Sequence, residues 1–272
     1  MKTKLLLKIT LFSFVILTLT AMVQSKTPPS SIKEEVVSYN SDGLTLKGFV
    51  AYDENIKGKR PVILVVHEWW GLNDYSKMRA RQLAALGYLA MAVDMFGDGR
   101  TAANPKEAQA FTIPYYKDLQ LVKSRLDAAI NKIKENPLAD TRKIAAIGYC
   151  FGGFVVLNAA KLGSDLKGVV SFHGGLVGAP ADKKLLKAKI LVCHGGADKF
   201  VTGEDVSVFK REMDSIHADY QFKTYANATH AFTNPDATKI GKEFNLPIEY
   251  NAKADVDSWN DMKAFLTKLF KK

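Results

Sequence analysis

The chain has 272 residues, 47% of them hydrophobic, and carries 38 basic against 28 acidic residues for a net charge of +10. Such a length and apolar content fit a packed globular protein, one large α/β domain or two small ones. The lysines are scattered without interleaved aromatics, which argues against nucleic-acid reading. Two cysteines make no disulfide framework, and no Cys-x-x-Cys or His-x-x-x-His spacing supports a zinc site.

Lys2, Lys4 and Lys8 precede the apolar stretch from Ile9 to Val23, and small residues follow at a cleavage position near Ser25. Residues 1–25 therefore read as a secretory signal peptide, placing the protein in the periplasm or outside the cell. The alternative, an uncleaved anchor, is disfavoured by a run shorter than the ~20 apolar residues of a spanning helix. No stable membrane insertion is expected after cleavage. Residues 26–31 form a Pro/Ser-rich spacer, and 32–272 read as a single domain.

Within that domain, Val36–Tyr39 and Leu44–Val50 alternate around the turn residues Asn40-Ser41-Asp42-Gly43, which predicts a hairpin. The pattern then changes to strand and helix in alternation. Pro61–Val66 is an apolar run suited to a strand buried on both faces, 74–86 reads helical, and Tyr88–Val93 is the next strand. The segment 94–117, rich in Gly, Ala, Pro and aromatics, reads as a long loop or lid. Leu119, Val122, Leu126, Ile130 and Ile133 repeat at helical spacing. Strands follow at 144–147, 168–172, 189–193 and 220–225, with a helix marked by Val206, Phe209, Met213 and Ile216. A last helix runs from about Ala254 to Phe270. This order implies a mostly parallel sheet of about eight strands with an N-terminal antiparallel hairpin and helices on both faces.

The chemistry concentrates at Ile147-Gly148-Tyr149-Cys150-Phe151-Gly152-Gly153. A buried strand, a glycine-flanked nucleophile and small residues opening a helix are what a nucleophile elbow requires. Such a turn aims the following backbone N–H, that of Phe151, at the oxygen of a bound carbonyl. A base and an orienting acid have candidates downstream in His230 and Asp198, and the order nucleophile, acid, histidine is that of α/β-hydrolases. His67-Glu68-Trp69 follows a buried strand, where the N–H of Trp69 would be the second oxyanion donor. Trp70, Phe96, Arg100 and Phe232 are candidates to line a substrate pocket. His67, His173 and His194 read as supporting residues, His217 as a surface residue, and Cys193 as a buried core thiol.

Taken together, His67-Glu68-Trp69-Trp70-Gly71-Leu72, Asp94-Met95-Phe96-Gly97, Gly148-Tyr149-Cys150-Phe151-Gly152-Gly153, Phe172-His173-Gly174-Gly175, His194-Gly195-Gly196-Ala197-Asp198 and Thr229-His230-Ala231-Phe232 resemble the dienelactone hydrolase family. The resemblance implies an α/β-hydrolase fold and a Cys150, Asp198, His230 triad that cleaves esters or lactones without metal or organic cofactor. It also implies that Glu68 contacts the resting thiol and helps activate it. The chain departs from the family's carboxylate-clamping arginines. Arg100 is displaced along its loop and Asn234 is uncharged, which argues against dienelactone itself as substrate. The expected partner is a small ester or lactone and the expected state a monomer. A binding protein that keeps the fold without turnover, and acyl transfer on the same residues, are the competing readings.

Overall fold

The computed structural model describes residues 31–271. The predicted signal segment and most of the spacer lie outside them. Among the described residues, no helix is long and apolar enough to cross a membrane.

The hairpin forms from β1 (Ile32–Ser41) and β2 (Leu44–Asp53), longer at both ends than the apolar pattern suggested. Its tight turn needs positive φ at two successive residues, and Asp42 (φ 49°) and Gly43 (φ 74°) supply it. Then come β3 (Arg60–Val66), α1 (Asp74–Ala85) and β4 (Leu89–Val93). Next are α2 (Pro105–Lys117), α3 (Leu119–Lys134), β5 (Ala139–Tyr149), α4 (Phe151–Lys161) and β6 (Gly168–Phe172). The chain closes with β7 (Lys189–Gly195), α5 (Gly203–Ser215), β8 (Tyr220–Tyr225), α6 (Ala237–Phe244) and α7 (Ala252–Phe270).

The eight strands form one sheet in the order β1-β2-β4-β3-β5-β6-β7-β8. Pairings from β4 through β8 are parallel, whereas β1 with β2 and β2 with β4 are antiparallel. Alternate side chains of β3 serve opposite faces. Val62, Leu64 and Val66 belong to the core layer that also takes in residues of α3, α4 and α5, while Ile63 and Val65 belong to the one that takes in residues of α1 and α7. Each such fully buried side chain contributes about 1.5–3 kcal/mol, so the uninterrupted apolar runs of the inner strands follow from two-sided burial. This is the α/β-hydrolase arrangement.

Topology also sets the place of the site. From β3 the chain steps outward to β4, then crosses back over β3 to β5, so the crevice opens at the carboxyl ends of β3 and β5, where strand order reverses. Val66 and Gly148 are paired there, which brings the residues after β3 beside the turn after β5.

One expectation is corrected. The segment 94–117 is not a continuous loop, because α2 occupies its second half. The Asn104 side chain accepts from the Glu107 N–H, Glu107 in return accepts from the Ala103 N–H, and Pro105 stands in the first turn where its missing N–H costs nothing. Pro114, inside the helix, is what disguised it. The loop half is tied down as well, because the Asp94 carboxylate accepts backbone N–H bonds from Lys47, Phe96, Gly97 and Gly99. The short helix α6 is a further element absent from the sequence reading, although Ala237, Ile240, Gly241 and Phe244 recur at helical spacing along it.

Candidate active site

Cys150 sits between β5 and α4 with φ 54° and ψ −115°, a backbone conformation that costs a non-glycine residue on the order of 1–3 kcal/mol. The turn is as sharp as this because its neighbours have no side chains. A Cβ on Gly148 would lie 2.0 Å from the Gly152 carbonyl oxygen, and one on Gly152 would lie 2.2 Å from that of Val66. The strain is held by hydrogen bonds to the Cys150 N–H, which reaches both the Phe172 carbonyl oxygen and Nδ1 of His173.

The thiol Sγ lies 3.0 Å from Nε2 of His230, whose Nδ1 lies 2.8 Å from Oδ2 of Asp198. Each partner arrives from a different strand end. Asp198 follows β7 through a glycine turn, and its second oxygen accepts the N–H groups of Phe200 and Val201. His230 follows β8 in a loop stitched to the chain before α7, where Thr229 Oγ1 accepts the Glu249 N–H. Burial opposes a charge on His230, but the Cys150 sulfur and the Asp198 hydrogen bond outweigh it and carry its pKa up to about 10. Burial likewise pushes Asp198 up, and its bonds to His230 and the two backbone N–H groups hold it below the usual carboxylate range. The arrangement can take a proton from sulfur onto the imidazole and stabilise the resulting imidazolium.

Two residues that line the same space, Phe151 and Trp69, have backbone N–H groups left without an acceptor among the described residues. Phe151 is the first residue of α4, so its N–H has no acceptor within the helix. The N–H of Trp69 in the turn after β3 has no hydrogen-bond acceptor among the described residues either.

Glu68 is 3% exposed and lines the cavity beside Cys150. Its Oε2 accepts from the Asn234 amide at 2.7 Å, and its Oε1 is buried without a partner. Desolvation raises its pKa to about 7, outweighing the Asn234 bond and the charge of His230. Under the elbow, His173 is fully buried and bonded through Nε2 to Thr233 Oγ1, which also meets the Tyr75 hydroxyl. Because Nδ1 of His173 faces the Cys150 N–H donor, that nitrogen carries a lone pair and Nε2 carries the hydrogen. Burial first, then the charges of His230 and Arg79, keep its pKa well below the ordinary histidine value.

These groups open into a cavity of about 370 Å³ walled largely by Trp69, Trp70, Tyr116, Phe200, Leu246 and Ile248. Of the residues expected to line a substrate pocket, Trp70 does so, and Phe96, Arg100 and Phe232 do not. Phe96 is packed between the rings of His67, Phe111 and Phe151. The pinned Asp94 loop turns Arg100 back on itself, so its guanidinium donates to the Phe96 and Gly97 carbonyls, stacks over Phe111 and borders a separate cavity. Phe232 is fully buried against His173 and Tyr225. In their place stand Gln109, Thr112 and Tyr116 of α2, hidden from sequence reasoning because that helix was read as loop, and Phe200, two residues after Asp198. Both cysteines are free thiols, and Cys193 is buried in the core with its pKa pushed up to about 12 by desolvation. His217 is exposed just past α5.

The dienelactone hydrolase family model matches residues 46–270. The chain belongs to the dienelactone hydrolase family. A Yersinia pestis protein provisionally named a carboxymethylenebutenolidase is 28% identical over 239 residues, 84% of this chain and 85% of that one. The crystal structure of a dienelactone hydrolase-like promiscuous phosphotriesterase from metagenomic libraries superposes with a TM-score of 0.83 at 34% identity, covering 89% of this chain and 100% of that one. A Klebsiella pneumoniae structure provisionally assigned as a dienelactone hydrolase has a TM-score of 0.74 at 22% identity, covers 87% of this chain and 99% of its own, and speaks to the fold. As a member of a hydrolase family, the chain has small molecules as its expected substrates.

Proposed function

We propose that the protein hydrolyses carboxylic esters or lactones with Cys150 as nucleophile. The supporting observation is the line from Cys150 Sγ through His230 to Asp198, at 3.0 and 2.8 Å, on a strained turn beside an apolar cavity. The thiolate attacks the carbonyl carbon while the imidazolium of His230, formed by taking the thiol proton, is held by Asp198. Negative charge gathers on the carbonyl oxygen, where the N–H groups of Trp69 and Phe151 receive it. Collapse of the tetrahedral species breaks the ester C–O bond, His230 gives its proton to the departing alkoxide, and a thioester remains on Cys150. His230 then takes a proton from water, whose oxygen attacks the thioester, and the carboxylic acid leaves as the thiol is restored. Glu68, held by Asn234, lines the same cavity as the resting thiol and is the group assigned to help activate it.

The experiment is turnover of p-nitrophenyl acetate and small lactones by the wild type, by Cys150→Ala and after iodoacetamide. Acid quenching should trap the acyl mass on the peptide that contains Cys150. Equal turnover in all three samples overturns the reading. By the same proposal the protein works outside the cytoplasm, and sequencing of the secreted chain should begin near Lys26.

A further inference from the structure

Among the described residues, no lysine or arginine lines the cavity at Cys150. Its polar side chains are Glu68, Gln109, Thr112, Tyr116, Cys150 and His230, together with the indole N–H groups of Trp69 and Trp70. Of these, only His230 can carry positive charge, and its ring nitrogens are committed to the sulfur on one side and to Asp198 on the other.

Nearby arginines are committed elsewhere. Arg79, whose charge is felt at Glu68, gives its Nη2 to the Thr233 carbonyl and the Asp255 carboxylate and is 4% exposed. Arg100 is turned onto the Phe96 and Gly97 carbonyls. The Asn234 amide that approaches the carboxylate of Glu68 is occupied by it. A second carboxylate entering this space would lose its water, find no cation, and meet Glu68, whose Oε1 already lacks a hydrogen-bond partner.

We infer that the site selects uncharged esters with apolar acyl and alcohol groups and rejects substrates that carry a carboxylate near the scissile bond. The walls supply the positive half of that selectivity, because Trp69, Trp70, Tyr116, Phe200, Leu246 and Ile248 offer aromatic and aliphatic surface around a volume at the small end of ligand cavities. The missing cation supplies the negative half. This inference rests on the hydrolase reading above and narrows it to a substrate class.

The test uses two esters that differ in charge and little else, the mono-p-nitrophenyl ester of adipic acid and its methyl ester. A second pair, 3-carboxyphenyl acetate and its methyl ester, puts the charge on the alcohol side. At pH 8 the uncharged member of each pair should have a kcat/KM higher by about a hundredfold, the scale of an unpaired buried charge. Gln109→Arg, which brings a guanidinium to the cavity from α2, should narrow the ratio at least threefold. Comparable or faster turnover of the acids overturns the selectivity while leaving the hydrolase reading intact, as does a ratio that Gln109→Arg fails to narrow. Absence of Cys150-dependent turnover with all four esters overturns the hydrolase reading itself, and the selectivity falls with it.

Discussion

The backbone N–H of Cys150 lies 3.1 Å from Nδ1 of His173, a buried histidine that itself has a positive φ of 40°. Residue 173 thus acts as a hydrogen-bond acceptor under Cys150 rather than as a base, holding the strained turn from below together with the Phe172 carbonyl. His173→Leu should lower kcat by about tenfold to a hundredfold with little change in KM, and slow alkylation of Cys150 by iodoacetamide. His173→Asn, whose Oδ1 can take the place of Nδ1, should recover most of both. Equal behaviour of the two variants would show that only the packing at residue 173 matters.

Asp198→Asn removes the carboxylate that, after the Cys150 sulfur, does most to raise His230 above the ordinary histidine value. The imidazolium becomes less stable, so the pKa of His230 falls and the ring holds a proton taken from sulfur less firmly. The expected results are a kcat reduced by about 10²- to 10⁴-fold and a clear change in the pH dependence of iodoacetamide alkylation. Asp198 accepts two backbone N–H bonds that the side-chain oxygen of Asn can keep, so the fold should survive, as circular dichroism would verify.

Glu68 carries a stability cost whose sign follows from its burial. Its folded pKa, about 7, lies above the 4.5 of an ordinary glutamate, so the folded state holds a proton that the unfolded state has released between those values. Stability therefore declines as pH rises from about 4.5 to 7 and then levels off, by about 3 kcal/mol in all. Glu68→Gln should remove this dependence. Thermal melts should show a variant more stable than wild type at pH 8, with the gain largely gone at pH 5, alongside reduced turnover.

Gly152 and Gly43 separate two reasons for glycine. A Cβ at Gly152 meets the Val66 carbonyl at 2.2 Å, so Gly152→Ala must push α4 away from β3 and should cost more than about 3 kcal/mol or prevent soluble expression. At Gly43 there is open space and only the φ of 74° resists, so Gly43→Ala should cost about 1 kcal/mol. Denaturant melts of the pair measure the difference.

Much of this was legible in the chain. The strands β3, β5, β6 and β7 are recognisable because burial on both faces demands unbroken apolar runs, and α3, α5 and α7 because burial on one face demands a stripe. Cys150, Asp198 and His230 stood out because an elbow requires glycines at fixed offsets and the partners follow in a known order. The helix α2 was obscured by Pro114, and with it went the contribution of Gln109, Thr112 and Tyr116 to the cavity.

What the sequence by itself determined, then, is the order of the strands and of the helices other than α2 and α6, and which thiol, carboxylate and imidazole are candidates for the site, since these depend on local patterns and short spacings. Which aromatic and charged side chains face the thiol was decided only in three dimensions. Arg100 points away because Asp94 gathers four backbone N–H groups and folds the loop back on itself, and Phe232 is drawn inward by His173 and Tyr225. A side chain's direction depends on what its neighbours across the fold leave open, and those neighbours are set by long-range packing that no local window of residues contains.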